Sequence, residues 1–326
     1  MNDEGAPLVS VVVPAYNVAG YLERALDSAL TQTMTNLEIL VVDDGSNDNT
    51  FEVACRVATR DSRVRVLRNE RNLGIGASRN RGFGAARGGW IALLDGDDMW
   101  LPQRLERMLA VSDGADVVSD DVCVMRGSST KDCRPVFWSY LQMRGFNLKR
   151  PRYLSLLDFA WYDLALTQPL IRRSFLERYK LEYDPALRIN EDFQFYLEIL
   201  ALKARWLQLP RGYYLYNTRR MGSVCSSPTL QSQDLLKATQ SLFKHPVVVG
   251  DAALVAALER RIREARSVIA FESVRDVLRR HRFGDIARLL FEQPPYLTLS
   301  MSFVIKSLIR RMRIKRRSLS ELEAEA

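Results

Sequence analysis

Asp95 and Asp97 stand two residues apart at the end of an apolar run, where Trp90–Leu94 leads into Asp95-Gly96-Asp97-Asp98. Two carboxylates at a strand end where the chain turns can approach one divalent ion. Hard oxygen ligands suit Mg²⁺ or Mn²⁺, and such an ion commonly completes its shell with phosphate oxygens. A turn carrying solvated acids would have the same sequence. Asp43-Asp44-Gly45-Ser46 ends another apolar run. An Asp there can accept a hydrogen bond from a nucleobase N–H or a ribose hydroxyl; an Asx-turn with a helix cap is the other reading. Asn72-Leu73-Gly74-Ile75-Gly76 opens a helix ahead of Arg79. A helix N-terminus beside an Arg suits a pyrophosphate, and a surface helix is equally compatible. Arg79 takes the place of the third glycine of a dinucleotide fingerprint, and the segment does not follow the first strand. Glu191-Asp192 opens a later helix, either as caps favoured by the backbone dipole or as a general base facing a nucleotide. Arg219, Arg220 and Ser223 lie in a basic loop that could clamp phosphate or be solvated.

These residues need elements to position them. Leu8–Val13 is a continuous β-branched run that reads as a buried parallel strand, with Pro14 stopping it. Residues 18–32 place Val18, Tyr21, Leu22, Ala25, Leu26, Ala29 and Leu30 on one helical face. Strands are expected at Leu37–Val42, Arg63–Leu67 and Trp90–Leu94, and helices at Asn49–Thr59 and Gly76–Ala86. Pro102 sits where a further helix should open. The alternation implies a mostly parallel, doubly wound α/β sheet. Ligands of such sheets lie beyond the carboxyl ends of the strands. Three strands here end in Pro14-Ala15-Tyr16-Asn17, Asp43-Asp44 and Asp95-Gly96-Asp97. Later, Val117-Val118 reads as a strand, 126–135 as a loop, Glu191–Leu202 as a helix and 229–290 as mainly helical.

The chain has 326 residues, 47% of them hydrophobic, and a net charge of +8. That is ample for a core and excludes a disordered chain. Seven cations fall within residues 306–317, so the charge implies a local patch, not a nucleic-acid-binding surface. Four cysteines without CxxC spacing make neither a zinc cluster nor a disulfide framework. Two histidines leave little room for a Ser-His-Asp site. The N-terminus does not resemble a signal peptide, and no apolar stretch reaches 18 residues. A cytoplasmic enzyme fits these features.

The segments VSVVVPAYNVAGYLERALDSALTQT, EILVVDDGSNDNT, NLGIGASRNRGFGAARGGWIALLDGDDMW and NEDFQF resemble, in that order, family 2 glycosyltransferases. The resemblance covers roughly residues 8–225 and is most specific in its first half. It implies the GT-A fold, a nucleotide-sugar donor, a divalent cation and inversion at the anomeric carbon. By the same resemblance, Pro14, Ala15 and Tyr16 frame the nucleobase. Asp44 bonds the uracil beside Asp43, and Arg79 lies near base and phosphates. Asp95 touches ribose or sugar, Asp97 is the main ligand of Mn²⁺ or Mg²⁺, and Asp95 assists it. Asp192 is the catalytic base with Glu191 beside it, and Arg219, Arg220 and Ser223 match a phosphate-contacting loop. Processive polysaccharide synthases of the family carry QxxRW; here Leu202-Lys203-Ala204-Arg205-Trp206 lacks the Gln, so Trp206 reads as core. One sugar is then moved per event.

The resemblance suggests a nucleotide-sugar-binding half at 1–112 and an acceptor-binding half at 113–225, and the pattern beyond them suggests a helical extension at 226–326. Residues 296–317 could lie on an anionic membrane surface, each cation adding roughly 1 kcal/mol. A lipid-linked glycan acceptor at the cytoplasmic face of the inner membrane, in cell-surface polysaccharide assembly, would follow. A packed helix or a loose basic tail is the alternative. A nicotinamide oxidoreductase would need a GxGxxG after the first strand, which is absent. A non-catalytic protein of the same fold, binding a nucleotide-sugar or nucleic acid, remains the competing class.

Overall fold

The computed structural model describes residues 6–126, 136–218, 228–279 and 317–325. It divides into two compact units. One comprises Met1–Leu156, Leu164–Arg219 and Lys315–Ala326; the other comprises Leu157–Asp163 and Arg220–Ile314.

The first unit opens with β1 (Val9–Ala15), α1 (Ala19–Leu30), β2 (Leu37–Asp43), α2 (Thr50–Arg60), β3 (Val64–Arg68), α3 (Ile75–Ala85) and β4 (Trp90–Leu93). These strands form the parallel part of the sheet, in the order β4-β1-β2-β3. Side chains alternate across β1. Val9, Val11, Val13 and Ala15 join a core with Leu22, Ala25, Leu26 and Ala29 of α1 and with Val53, Ala54 and Val57 of α2. Val12 faces Gly82 of α3 on the opposite side. Burial on both faces is why β1 reads as an unbroken apolar run.

Pro14 does not stop the first strand as the sequence suggested. It pairs with Val42 within β1. Pairing with β4 ends where Val12 meets Leu93, so the N–H that proline lacks is not needed on that side.

Chain order continues with β5 (Met99–Trp100), α4 (Arg104–Leu109), β6 (Val117–Arg126), β7 (Val136–Ser139), α5 (Tyr140–Arg144), β8 (Arg152–Tyr153), α6 (Leu156–Tyr162), β9 (Leu170–Arg172), α7 (Arg173–Tyr179), α8 (Glu191–Ala201) and β10 (Trp206–Tyr216). Here the pairing is mostly antiparallel. β9 joins the two halves by pairing antiparallel with both β4 and β6. β10 runs parallel to β6, bulges between Gln208 and Tyr214, and holds β5 at its far end. Trp206 is fully buried, as expected, and its indole N–H donates to Ser119 Oγ at 2.7 Å.

The second unit contains α9 (Pro228–Ser241) and α10 (Ala252–Arg279). Within it Arg261 Nη1 donates to Thr239 Oγ1 at 3.1 Å and its Nε lies 3.3 Å from Asp163. Among the described residues no helix is long and apolar enough to cross a membrane. β11 (Arg317–Ser318) and α11 (Leu319–Glu325) return to the first unit. Arg317 pairs with Phe137 on the open edge of β7, and Leu322 packs with Leu101, Cys123, Phe137, Tyr213 and Leu215. The last cation of the basic run is therefore part of the sheet; residues 296–316 lie outside the described residues.

Candidate active site

The carboxyl ends of β1, β2 and β4 lie side by side, so the residues that follow them share one rim. At the end of β2, Asp44 is buried and its carboxylate is occupied by protein donors. Oδ1 accepts from Asn69 Nδ2 at 2.7 Å and from Leu73 N at 2.9 Å, and Oδ2 accepts from Gly74 N at 2.9 Å. Asp44 thereby fixes the turn that opens α3. Gly45 follows at φ +69°, and a Cβ there would stand 2.7 Å from the Arg71 backbone. Asp43 is fully buried and its Oδ2 lies 3.2 Å from Arg68 Nε, whose guanidinium covers the Phe51 ring. Pro14 and Ala15 lie on this rim at the end of β1, with Tyr16 next in the chain.

Beyond β4 the three acids separate. Asp98 turns inward, with Tyr214 Oη donating to its Oδ2 and Asn217 N donating to its Oδ1, each at 2.7 Å. Burial, with Asp95 and Asp97 alongside, pushes the Asp98 carboxyl well above the ordinary carboxylate range. Tyr214 Oη also accepts from Asp95 N at 3.2 Å, so one phenol braces both ends of the turn. Asp97 keeps partial exposure, and its carbonyl accepts from Asn217 Nδ2 at 3.3 Å.

Arg79 is the hub, and it is only 1% exposed. Its Nη1 donates to Asp192 Oδ1 at 2.7 Å and to Glu191 Oε1 at 3.4 Å; its Nη2 donates to Asp95 Oδ1 at 3.1 Å. Arg79, which the resemblance sets near base and phosphates, thus binds three carboxylates with one guanidinium. Arg79 unites residues 16 and 113 positions away because α3 and the start of α8 meet there.

Glu191 and Asp192 form the first turn of α8, entered through Asn190 at φ +74°. Asn tolerates this left-handed conformation better than most residues. Burial and the neighbouring Asp192 push Glu191 up to about 7, with Arg79 opposing. Burial raises Asp192 also, against the pull of Arg79. A carboxylate poised upward in this way suits proton abstraction near neutral pH.

Sequence reasoning did not single out Tyr183, Gln168 or Tyr214. Tyr183 Oη donates to Asp192 Oδ1 at 2.9 Å, and Gln168 Nε2 reaches Asp95 Oδ2 at 3.4 Å. Gly76, Arg79, Asn80 and Phe83 share one face of α3 by i, i+3, i+4, i+7 spacing, a signal present in the sequence. Arg219, Arg220 and Ser223 lie outside the described residues.

The model of the family described as "Glycosyl transferase family 2" matches residues 10–180. The succinoglycan biosynthesis protein ExoO of Rhizobium meliloti is 34% identical over 314 residues, covering 94% of this chain and 87% of its own. Among solved structures, S. aureus TarS 1–349 in complex with UDP-GlcNAc superposes with a TM-score of 0.57 at 20% identity, covering 91% of this chain and 81% of that one. The mannosyltransferase PcManGT from Pyrobaculum calidifontis, in complex with GDP-Man and Mn²⁺, gives 0.56 at 20% identity, covering 94% and 88%. The matched segment spans β1 through α7, and the mixed sheet with its helices is the GT-A architecture. This chain belongs to glycosyl transferase family 2 and is a glycosyltransferase of GT-A fold.

Proposed function

We propose that the enzyme transfers one sugar from a nucleotide-sugar, of the UDP-hexose or UDP-N-acetylhexosamine class, to a glycan hydroxyl with inversion. The observation that carries this is the single guanidinium shared by Asp95 of the β4 turn and Asp192 of α8, at 3.1 and 2.7 Å. It keeps a donor-side acid and a candidate base within one side chain of each other. UDP-GlcNAc in TarS and GDP-Man in PcManGT support a nucleotide-sugar donor.

Pro14, Ala15 and Tyr16 frame the nucleobase in this reading, with Asp43 and Asp44 at its edge. Asp95 and Asp97, both partly exposed on the turn after β4, fit a divalent cation in this reading. Among the described residues no group of three His, Cys, Asp or Glu could hold an ion. Mg²⁺ and Mn²⁺ sites built on one or two carboxylates take their remaining ligands from phosphate. When bound, the ion would supply positive charge to the departing diphosphate. Asp192 accepts the proton of the acceptor hydroxyl, whose oxygen forms the new bond to C1. The bond from C1 to the diphosphate oxygen breaks, and its electron pair leaves with the nucleotide. One displacement inverts the anomeric centre. Arg219, Arg220 and Ser223 contact the phosphates in this reading.

The name of ExoO supports a role in exopolysaccharide assembly. A lipid-linked acceptor would suit the basic residues 306–316, which would hold the enzyme against an anionic cytoplasmic membrane face. Residues 1–112 then serve the donor and 113–225 the acceptor, with 226–326 a helical extension that carries the basic segment.

Calorimetric titration of UDP and GDP, with and without Mn²⁺, tests the donor assignment. UDP binding that needs both Mn²⁺ and Asp97 is expected, with Asp97→Asn abolishing it. Asp192→Asn should bind UDP normally and transfer nothing. Full transfer by Asp192→Asn would remove the base from this scheme. Binding indifferent to Mn²⁺ and Asp97 would remove the cation.

A further inference from the structure

We infer that Tyr183 is the positioning residue of the acid at 192, saturating one oxygen of that carboxylate so that the other faces the acceptor. The inference rests on the proposed role of Asp192 as base.

Both strong donors converge on the same atom. Arg79 Nη1 and Tyr183 Oη lie 2.7 and 2.9 Å from Asp192 Oδ1. Neither reaches Oδ2, and the Asp192 side chain retains 19% exposure. A carboxylate held by two donors on one oxygen cannot rotate without losing both, so Oδ2 has a fixed direction.

Tyr183 is itself held from three sides. Its backbone N donates to Asn80 Oδ1, and Asn80 Nδ2 donates to its carbonyl, both at 2.8 Å. Its ring stacks on Phe195 at 4.0 Å, and the Arg79 guanidinium lies 5.0 Å from the ring centre. Gly76 permits the approach, since a Cβ there would stand 3.2 Å from Tyr183 Cβ. Asn80 and Arg79 are neighbours in α3, so one helix fixes both donors to Asp192.

Tyr196 provides the internal control. Its hydroxyl lies 3.5 Å from that of Tyr183 and 3.4 Å from Gln168 Oε1. It is as deeply buried as Tyr183. The Tyr183 hydroxyl donates to the carboxylate at 2.9 Å, whereas the Tyr196 hydroxyl donates to Gln168.

The test compares Tyr183→Phe, Tyr196→Phe and Asp192→Asn in the full chain, with UDP-sugar turnover, donor KM and UDP titration. Tyr183→Phe is expected to lower kcat about tenfold while donor KM and UDP affinity change less than about twofold, a transition-state loss without a binding loss. Tyr196→Phe is expected to stay within about threefold of wild type. Wild-type kcat in Tyr183→Phe, with Asp192→Asn inactive, overturns this inference and leaves the base assignment standing. Equal losses in both Phe variants also overturn it, because the effect would be one of core packing. Activity in Asp192→Asn defeats the base assignment itself. UDP binding by each variant shows that it has folded.

Discussion

Arg79 and Asp192 are 113 residues apart in sequence and 2.7 Å apart in space, and the same guanidinium also binds Asp95. The arrangement joins a strand-end acid to a helix-start acid through one buried cation. Arg79→Met would leave three partly buried carboxylates facing one another. Removing one partner from a buried ion pair costs about 3–5 kcal/mol, and the partial exposure of these acids favours the lower end. The expected result is a loss of about 3 kcal/mol in denaturant unfolding and no measurable transfer. Arg79→Lys should recover part of the stability, since one ammonium reaches one carboxylate but cannot fork to two. Stability unchanged in Arg79→Met would show that these acids do not depend on Arg79.

Asp121 offers a pH test away from the site. It lies in β6, accepts from Val122 N and Leu141 N through Oδ1, and accepts from Ser139 Oγ through Oδ2. Burial pushes its carboxyl from 3.8 up to about 7. Between those values the folded protein holds a proton that the unfolded chain releases. Its contribution to stability is therefore full below about pH 4, falls as pH rises toward 7, and levels above that. The slope for one proton is at most about 1.4 kcal/mol per pH unit. Asp121→Asn, whose amide can keep Oδ1 on the two N–H groups and donate to Ser139, should remove this decline. Subtracting the variant's stability profile from that of wild type over pH 4 to 7.5 isolates the group. A flat difference would show that Asp121 does not titrate there.

Strands β1, β2 and β4 were legible because they are buried on both faces and read as apolar runs. The acids at Asp44, Asp95, Asp97 and Asp192 were legible as types at strand or helix ends. Their partners were not. Tyr183 and Tyr214 look like core aromatics, and only the fold brings their hydroxyls to Asp192 and Asp98. Arg79 was legible as a cation near a helix start, but its bonds to Asp192 and Glu191 were not. Its burial depends on α8, far along the chain. Pro14 misled because its tolerance depends on where β4 stops pairing. The antiparallel strands after Val117 are short or bulged, so they carry little periodicity.

Gly82 tests how closely α3 sits on the sheet. A Cβ at this position would stand 2.3 Å from Val12 Cγ1 and 3.2 Å from Val12 Cβ. Val12 is in a central strand and stiff at χ1, so relief requires helix movement. Gly82→Ala should cost about 1–3 kcal/mol by overpacking. Because α3 carries Arg79 and Asn80, transfer should fall too. Val12→Ala combined with Gly82→Ala should be more stable than the sum of the single losses predicts, a coupling readable in a double-mutant cycle. Additive losses would mean that the two side chains do not compete for this space.

Tyr214 braces the turn from the other side. Its hydroxyl donates to Asp98 Oδ2 at 2.7 Å and accepts from Asp95 N at 3.2 Å, while β10 holds its backbone against Trp100 of β5. Tyr214→Phe removes both bonds and keeps the ring. A buried carboxyl that loses one of its two donors should cost about 1–3 kcal/mol. The Asp98 carboxylate in the turn that presents Asp95 and Asp97 then keeps the bond from Asn217 N. Mn²⁺-dependent UDP affinity should weaken about tenfold, while any metal-independent UDP binding should not change. Placing Asp98→Asn in the Tyr214→Phe background removes the carboxylate that lost its partner, so the double variant should lose less than the two singles combined. Tyr214→Phe with unchanged melting temperature and unchanged Mn²⁺-dependent affinity would show that the phenol packs beside the turn without holding it.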